Sequence, residues 1–166
     1  MKMLIYDGSQ AELRRFFPTE NDPCRVICRD DKIHSCIGCG SCWVRSPGLC
    51  PIHDDAGLIT GRLAETDELY VFSACVYGCV SPFVKTVLDR MIGFTTPILE
   101  LHNGETRFRP RYEERFRLTV CFYNRVSGEE QRVAVDYIER VGRELNASGT
   151  QVFFLDGLEK IREVLP

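Results

Sequence analysis

The sequence predicts a single α/β domain in which helices cover both faces of a sheet of five parallel strands. Short apolar runs alternate with amphipathic stretches along all 166 residues, and this alternation is typical of strand–helix–strand units with right-handed crossovers. Two runs end in Asp7-Gly8-Ser9 and in Cys75–Gly78, as expected at the carboxyl edge of a parallel sheet, where ligands bind. Five strands in the order 2-1-3-4-5 fit the count and place the switch point between the first and third strands.

The composition is that of a globular protein with no affinity for membranes or nucleic acid. Hydrophobic residues make up 44% and charged residues 27% of the chain, and a net charge of −3 with a pI near 5.7 gives no basic surface for nucleic acid. No apolar run approaches the roughly 20 residues that cross a bilayer. The start MKMLIYDGS has no signal-peptide pattern, so we expect a cytoplasmic protein. Nine cysteines in such a chain favour reduced thiols, metal ligation or redox chemistry over disulfides.

Each predicted strand is a short, nearly continuous apolar run, as expected of strands that are buried on both faces. The five are Met3–Tyr6, Cys24–Cys28, Leu69–Ala74, Leu118–Tyr123 and Gln151–Leu155. The third is apolar almost throughout, and we expect it at the centre of the sheet. Cys24 and Cys28 are interpreted as small core side chains, because free cysteine is among the most buried residue types.

Apolar residues at helical spacing predict five helices. Ser81 caps the clearest of them, with Pro82 at its first position and Lys85 and Asp89 as an i,i+4 pair on its outer side. The apolar faces of the others are Leu13, Phe16 and Phe17 before Pro18; Leu58, Ile59 and Leu63 after Asp55; Ala134, Tyr137, Ile138, Val141 and Leu145; and Leu158, Ile161 and Leu165. The helices after Ser9 and Ser127 both begin with an S-x-x-E capping box.

The segment 95–117 interrupts the alternation of strands and helices. Asn103-Gly104 stands between two β-prone stretches and predicts a small β-hairpin excursion. The segment carries five arginines: Arg107, Arg109, Arg111, Arg115 and Arg117. Solvated charge on an exposed hairpin explains them, and so does contact with the phosphates of a nicotinamide cofactor or with a partner subunit.

Four cysteines with the spacing C-x2-C-x2-C-x7-C form the densest chemical pattern in the chain. They are Cys36, Cys39, Cys42 and Cys50. Soft thiolates are the ligands that iron–sulfur clusters and zinc select, so the pattern predicts a metal or redox site. Ser46-Pro47-Gly48 predicts a turn that returns the fourth cysteine to the other three. Asp54 and Asp55 at the end of the stretch are good helix N-caps.

Three stretches resemble a known family: CIGCGSCW at 36–43, PGLCPIHDD at 47–55 and SACVYGCVSPFVKTVLDR at 73–90. In these stretches the chain resembles the flavodoxin-like NAD(P)H-dependent FMN reductases, and within them the branch that includes the iron–sulfur flavoproteins. The similarity covers most of the chain and is strongest from Cys36 to Gly93. It implies a flavodoxin-like three-layer sandwich, bound FMN, a homodimer, and a [4Fe-4S] cluster on the four cysteines.

The resemblance also implies which residues contact FMN. In the family, the loop that matches Ala74–Gly78 carries a proline, a tyrosine and a glycine and runs along the flavin ring; here Ala74 replaces the proline. An aromatic residue and a glycine suit a flat ring, because glycine permits close approach of the backbone, although an ordinary strand-to-helix turn explains the same residues. The predicted cofactor-binding residues are Ser9, Gln10, Ala74, Cys75, Val76, Tyr77, Gly78 and Asn124.

The chain departs from the family after the first strand. The family has a longer loop there, rich in Ser, Arg, Asn and Thr, that holds the flavin phosphate, whereas here Ser9 is followed by Gln10, Ala11 and Glu12. The Ser9 hydroxyl is free to cap its own helix, and Glu12 puts negative charge near a bound anion. The helix dipole still favours a phosphate by up to about 1 kcal/mol.

Three interpretations of the four cysteines remain open. One is a four-cysteine iron–sulfur cluster, and a second is zinc, although structural zinc more often uses two separated C-x2-C pairs. The third is a loop without metal, which family members use to shape the flavin pocket or a subunit contact. Trp43 fits an interface, a ring-stacking contact or the core equally well.

Two function classes follow. The first is an FMN-dependent oxidoreductase in which NAD(P)H or a ferredoxin-type donor reduces the flavin, and a small-molecule redox substrate or an electron-carrier protein accepts the electrons. The second is a flavodoxin-shaped protein that has lost flavin and acts as a cysteine-rich binding or electron-transfer module. No catalytic residue is nominated, since the cofactor carries the chemistry and no histidine has an evident partner. We expect the flavin and the cysteines to share one mouth of the sheet.

Overall fold

The sheet has the predicted order of strands. The computed structural model describes residues 1–16, 24–113 and 116–164. Its five parallel strands are β1 (Lys2–Tyr6), β2 (Cys24–Ile27), β3 (Glu68–Ser73), β6 (Arg117–Phe122) and β7 (Gly149–Phe154); β4 and β5 form the hairpin described below. The five strands lie in the order β2-β1-β3-β6-β7, which is 2-1-3-4-5 when the hairpin strands are left out, so the flavodoxin-like arrangement is confirmed. The predicted helix stop at Phe17 and Pro18, and also Arg115 and Leu165, lie outside the described residues.

The helices pack on both faces of this sheet. They are α1 (Gln10–Phe16), α2 (Ser41–Val44), α3 (Ile59–Ala64), α4 (Pro82–Arg90) and α5 (Gly128–Glu144), with 3₁₀ turns at Met91–Phe94 and Leu158–Glu163. Strand residues alternate between two cores: Met3 and Ile5 join one, while Leu4 and Tyr6 join the other, as the period of two in a strand requires. Within the described residues, no helix is both long and apolar enough to span a membrane.

The caps predicted at Ser81 and Ser127 are confirmed, whereas Asp54 and Asp55 cap no helix, because α3 begins after Leu58. The Ser81 hydroxyl accepts a hydrogen bond from the Val84 N–H, and Pro82 begins α4. Ser127 and Glu130 form the full capping box of α5. The helix predicted from Asp55 begins only at Ile59, because turns occupy the residues between them. Helix α2 has no counterpart among the predicted elements, since four residues are too few to show a periodic pattern.

The hairpin forms a separate two-stranded sheet of β4 (Thr95–His102) and β5 (Glu105–Pro110). Asn103 and Gly104 both have positive φ, as a type I′ turn requires. Two of its arginines, Arg107 and Arg109, each bind Glu100 at 3.1 Å. Arg111 donates to the carbonyl oxygens of Gly93 and Thr95. These side chains therefore stabilise the hairpin and its junction with the 3₁₀ turn after α4.

Candidate functional site

The four cysteines of the predicted metal motif lie on the connection between β2 and α3, which we call the cysteine loop (residues 34–54). The loop packs against the carboxyl-terminal end of α4 and the 3₁₀ turn that follows. Its anchor is Trp43, whose indole N–H donates to the Ile92 carbonyl at 3.0 Å and whose ring lies 4.9 Å from that of Phe108 in the hairpin. Trp43 is therefore a packing contact between the loop and the hairpin within one chain.

All four cysteines line one cavity. Its volume is about 680 Å³, and Cys36, Cys39, Cys42 and Cys50 form one wall. The cavity is also lined by residues of α4 and α5, including Leu88 and Val141. Cys42 is buried, Cys50 is partly buried, and Cys36 and Cys39 are exposed. The structure thus brings together the four side chains that the spacing singled out.

Two glycines give the loop its sharp course. Gly38 and Gly40 have φ angles of 65° and 66°, in the left-handed region that side-chain-bearing residues rarely adopt. Space is not the reason for glycine here, because a Cβ at either position would meet nothing within 4 Å. The backbone conformation is the reason, since both positions adopt φ angles that a residue with a side chain rarely takes.

The surroundings of the thiols differ. Hydrogen bonds from the backbone and hydroxyl of Ser41 lower the pKa of the exposed Cys39 thiol, because they stabilise the thiolate. Burial raises the pKa of Cys42, and the neighbouring Cys50, Cys36 and Cys39 raise it further when they are charged. Four thiolates without a cation therefore repel one another, whereas a positively charged metal core between them removes the repulsion.

The four thiols of the cysteine loop are soft donors of the kind that a metal centre uses. Across the described ranges, no group of three or more His, Cys, Asp or Glu side chains is arranged to hold a metal ion. The four thiols are nevertheless close enough to influence one another electrostatically and face one cavity. An iron–sulfur cluster spreads its thiolates more widely than a single ion does, because irons and sulfides lie between them. Four thiolates that face one cavity suit an iron–sulfur cluster, and they suit zinc as well.

A buried ion pair between Arg90 and Asp54 closes the loop, and no sequence pattern predicts it. The Arg90 side chain is fully buried and that of Asp54 is 2% exposed; their bonds are 2.7 and 2.9 Å long. The same carboxylate accepts from the backbone and ring of His34. Asp54 was predicted as a helix cap and Arg90 carried no prediction, because a basic residue in the last turn of a helix is ordinarily explained by the helix dipole.

The predicted flavin-ring loop is a tight turn at the carboxyl edge of β3. Val76 and Cys79 exchange backbone hydrogen bonds of 2.8 and 3.0 Å, and the two residues between them, Tyr77 and Gly78, have φ angles of 51° and 76°. The Tyr77 side chain is 90% exposed. A Cβ at position 78 would lie 2.6 Å from Val133 of α5, so glycine lets the turn pack on that helix. Tyr77 is left free to stack on a flat group.

Other polar groups at this edge are already paired. The Asn124 side chain accepts from the Cys75 N–H at 2.6 Å and donates to the Cys75 carbonyl at 3.1 Å. The buried Asp7 carboxylate accepts from the Ala74 N–H at 2.9 Å and from the Tyr123 hydroxyl at 2.5 Å. Burial and the hydrogen bond to Asp7 raise the pKa of Tyr123. Asn124 and Asp7 therefore fix the turn in place.

The loop after β1 does not fit a phosphate. Glu12 accepts hydrogen bonds from the Ser9 N–H at 2.9 Å and from its hydroxyl at 3.1 Å, and the Gln10 N–H donates to Asp30 at 2.9 Å. The donors that a phosphate requires are thus occupied by carboxylates, whose charge repels an anion. Tyr77 thus offers an exposed ring at the edge of β3, whereas the N–H groups of Ser9 and Gln10 are not free to bind a phosphate.

The two predicted sites lie apart within one chain, so the expectation of one shared mouth is wrong. The cavity beside the cysteines is lined by none of the residues predicted to bind FMN. Helix α4 separates the two regions: Ser81 begins it beside the Tyr77 turn and Arg90 ends it beside the cysteine loop. At a rise of about 1.5 Å per residue the helix spans roughly 13 Å.

Comparison with known proteins gives one relative in sequence. An iron–sulfur flavoprotein of Methanocaldococcus jannaschii is 36% identical over 61 residues, which are 37% of this chain and 31% of the relative. The matched segment thus spans about a third of the relative's length. No protein-family model matches the chain.

Solved structures with the same fold match nearly the whole chain. The Trp repressor binding protein of Bacillus subtilis has a TM-score of 0.51 at 10% identity, covering 99% of this chain and 92% of its own. The azoreductase AzrA has a TM-score of 0.54 at 10% identity, covering 98% and 90%. An azoreductase of Bacillus anthracis has a TM-score of 0.50 at the same identity and coverage. At this identity the likeness shows the flavodoxin-like fold, and with the sequence match it confirms the resemblance.

Proposed function

We propose that the protein is a flavodoxin-fold oxidoreductase that moves electrons through an iron–sulfur cluster held by its four loop cysteines, with FMN as a second redox group. The observation that carries the proposal is the convergence of all four thiols on one cavity. The sequence match to an iron–sulfur flavoprotein supports it. A cluster in this position supplies one-electron transfer.

The exposed and the buried cysteines of the loop would have different roles around such an iron–sulfur centre. Cys36 and Cys39 are exposed, so they place one side of the centre where an electron donor or acceptor can approach. Cys42 is buried and faces a largely apolar cavity, which limits water on the other side. Since solvent exposure and hydrogen bonds to sulfur set the potential of a cluster, this asymmetry both tunes the centre and gives it an open side.

The structure supports FMN binding where the flavin ring is predicted to lie, but not where its phosphate is predicted to bind. Tyr77 and Gly78 offer a flat, exposed platform at the edge of β3. Glu12 and Asp30 occupy the donors that its phosphate requires. This second observation favours the alternative function, in which flavin has been lost and the protein acts as an electron-transfer module through its cysteines. Titration with FMN and with riboflavin distinguishes the two: the alternative predicts that neither binds.

The electron donor is proposed to be NAD(P)H or a reduced ferredoxin-type protein, and the acceptor a small redox molecule or an electron carrier. Stopped-flow reduction of the reconstituted protein by NADH, NADPH and a reduced ferredoxin separates the donors. Arg107, Arg109 and Arg111 already bind acceptors within the chain, so the hairpin offers little free charge for nicotinamide phosphates. This favours the protein donor.

A homodimer is part of the proposal. Exposed apolar side chains stand on the cysteine loop, at Ile37 and Val44, and on the hairpin, at Leu99 and Leu101. Apolar side chains in such number on neighbouring surfaces are typical of protein contacts. Sedimentation velocity of the wild-type protein tests this: a single monomeric species across micromolar concentrations contradicts it.

Anaerobic reconstitution tests the central proposal. The protein is incubated with ferrous iron, sulfide and FMN, desalted, and analysed for iron, sulfide and flavin alongside its absorption spectrum. The expected result is about four iron and four sulfide per chain with a broad brown shoulder, and resolved blue and near-ultraviolet bands if FMN is bound. A colourless protein without iron overturns the cluster. Zinc retained in its place selects the zinc interpretation instead.

A further inference from the structure

Arg90 is the most deeply buried cation among the described residues, and its contacts lie on the cysteine loop. Its side chain is fully buried. One terminal nitrogen donates to the His34 carbonyl at 2.7 Å, and the other contacts the Ile52 carbonyl at 3.5 Å. His34 lies two residues before the first cysteine of the motif and Ile52 two residues after the last. One guanidinium therefore holds both ends of the loop.

Asp54 fixes the orientation of that guanidinium. Both of its oxygens accept from the terminal nitrogens of Arg90, and its own position is fixed by hydrogen bonds from the backbone N–H groups of His34 and Ala56. A bidentate pair with fixed partners allows the arginine little rotation. The direction in which the remaining Nε–H points is thereby determined.

The Nε of Arg90 is the buried side-chain nitrogen that has no hydrogen-bond partner in the described part of the chain. A buried donor without a partner is unfavourable. Arg90 and Cys50 line the same cavity. Burial lowers the pKa of Arg90, but Asp54 and the Cys50 thiol beside the guanidinium together raise it above its ordinary value. Of the four cysteines, Cys50 is therefore the one that neighbours Arg90.

We infer that Arg90 is a positioning residue of the metal centre: it fixes both ends of the cysteine loop and directs its Nε–H to the Cys50 sulfur once that thiol is a ligand. The inference rests on the proposed function for the second of these roles. Four thiolates around an iron–sulfur core leave net negative charge, and a buried hydrogen-bond donor stabilises it. Hydrogen bonds to ligand sulfur also raise the reduction potential of a cluster.

The experiment compares four proteins. Arg90→Lys keeps the positive charge but removes the Nε–H and the pair of terminal nitrogens that bind Asp54. The double variant Arg90→Met/Asp54→Asn removes both charges, so that no buried carboxylate is left unpaired. Arg140→Gln is the matched control, because Arg140 is a cation that lines the same cavity from the α5 side. Wild-type protein is the reference.

In iron-loaded protein, the expected result is a lower midpoint potential and about tenfold faster iron loss to a chelator in both Arg90 variants, as for the loss of a partner that holds a ligand. Arg140→Gln should match wild type in both measurements. A merely structural role of Arg90 changes stability without changing the potential of the centre that remains. Equal potentials in Arg90→Lys and wild type would therefore overturn the Nε–H assignment.

Apoprotein provides the second measurement, which needs no iron. Hydrogen exchange of the backbone amides should be faster across residues 34–54 in Arg90→Lys than in wild type, while the sheet amides keep their rates. Unchanged exchange in the loop overturns the loop-closing role. If wild-type protein takes up no iron at all, the proposed function fails along with the Nε–H assignment. The exchange measurement then still decides whether Arg90 closes the loop.

Discussion

The two regions predicted to carry redox groups are built in opposite ways. At the strand edge, polar groups pair with one another: Asn124 with Cys75, Asp7 with Ala74, and Glu12 with Ser9. In the cysteine loop, four thiols face a cavity, and beside the loop a buried guanidinium N–H of Arg90 lacks a partner. A buried polar group without a partner costs about 1–3 kcal/mol. The cysteine loop therefore has groups that a ligand could still bind, whereas the polar groups at the strand edge already have partners. The predictions below test this difference.

The largest expected effect is loss of the metal centre. Replacing Cys39 and Cys42 together by serine should abolish iron binding and the broad visible absorbance, because hydroxyl groups are poor ligands for soft metals. Iron analysis and an absorption spectrum after anaerobic reconstitution give the answer, and circular dichroism shows that the sheet is intact. Cys24→Ala is the control, since Cys24 is a cysteine in β2 outside the loop. Unchanged iron content in the double variant would rule out ligation by these thiols.

The next effect concerns the buried ion pair. Asp54→Ala should lower the free energy of unfolding by about 3–5 kcal/mol, because it leaves Arg90 as an uncompensated buried charge. Chemical denaturation measures the loss. Asp89→Ala is the control: its exposed pair with Lys85 should contribute less than about 1 kcal/mol. Equal losses in the two variants would contradict the burial described here.

The same pair predicts how stability depends on pH. Burial alone raises the pKa of Asp54, but hydrogen bonds from Arg90 and His34 and the charge of Arg90 lower it well below its ordinary value. A carboxyl group with a lowered pKa stabilises the fold above its unfolded pKa, and this contribution is lost as the pH falls below about 4. Wild type should therefore lose stability in acid more steeply than Asp54→Asn. Parallel curves between pH 5 and pH 2 would be incompatible with this.

At the strand edge a moderate effect is expected from Tyr77. Tyr77→Ala should weaken FMN binding by about 1–3 kcal/mol, the range for aromatic stacking on a nucleic-acid base, with little change in stability because the ring is exposed. Fluorescence titration with FMN measures the affinity. Tyr77→Phe keeps the ring and should bind as wild type does. If all three proteins bind FMN equally, the ring lies elsewhere.

The smallest effect is expected from Glu12. Glu12→Gln keeps the capping box, since glutamine serves at this position too, but it removes a negative charge from the donors that a phosphate requires. FMN affinity should rise roughly fivefold. Glu139→Gln on α5 removes an equal charge elsewhere and is the control. Titration with riboflavin, which has no phosphate, should show no gain. A gain for both ligands would point to a general charge effect.

Most of the fold could be predicted because its signals are local. The apolar runs gave the five strands, and hydroxyl residues before periodic stretches gave the caps at Ser81 and Ser127, which depend on contacts three residues apart. Asn103-Gly104 likewise specifies its own turn. The late start of α3 was missed because the Asp54 carboxylate, expected to cap a helix, is bound by an arginine 36 residues away.

The candidate site was predictable only in part, for a similar reason. Cysteine spacing in sequence identified the four thiols, because the loop that carries them is continuous. Their position at the far end of α4 depends on Trp43 packing against a hairpin more than 60 residues later, and no spacing rule reports such a contact. Pairs such as Asn124 with Cys75 are likewise long-range. The sequence could identify the polar groups of the strand edge but not show that they pair with each other.

The anchoring of Trp43 has a practical consequence. It is the single tryptophan of the chain and adjoins Cys42 on the loop, so the intrinsic fluorescence of the folded protein originates beside the thiols. Emission from that indole will respond when iron and sulfide enter, without any label and at concentrations too low for visible colour. The fluorescence of Trp43 therefore reports whether the neighbouring cysteines have bound a metal centre.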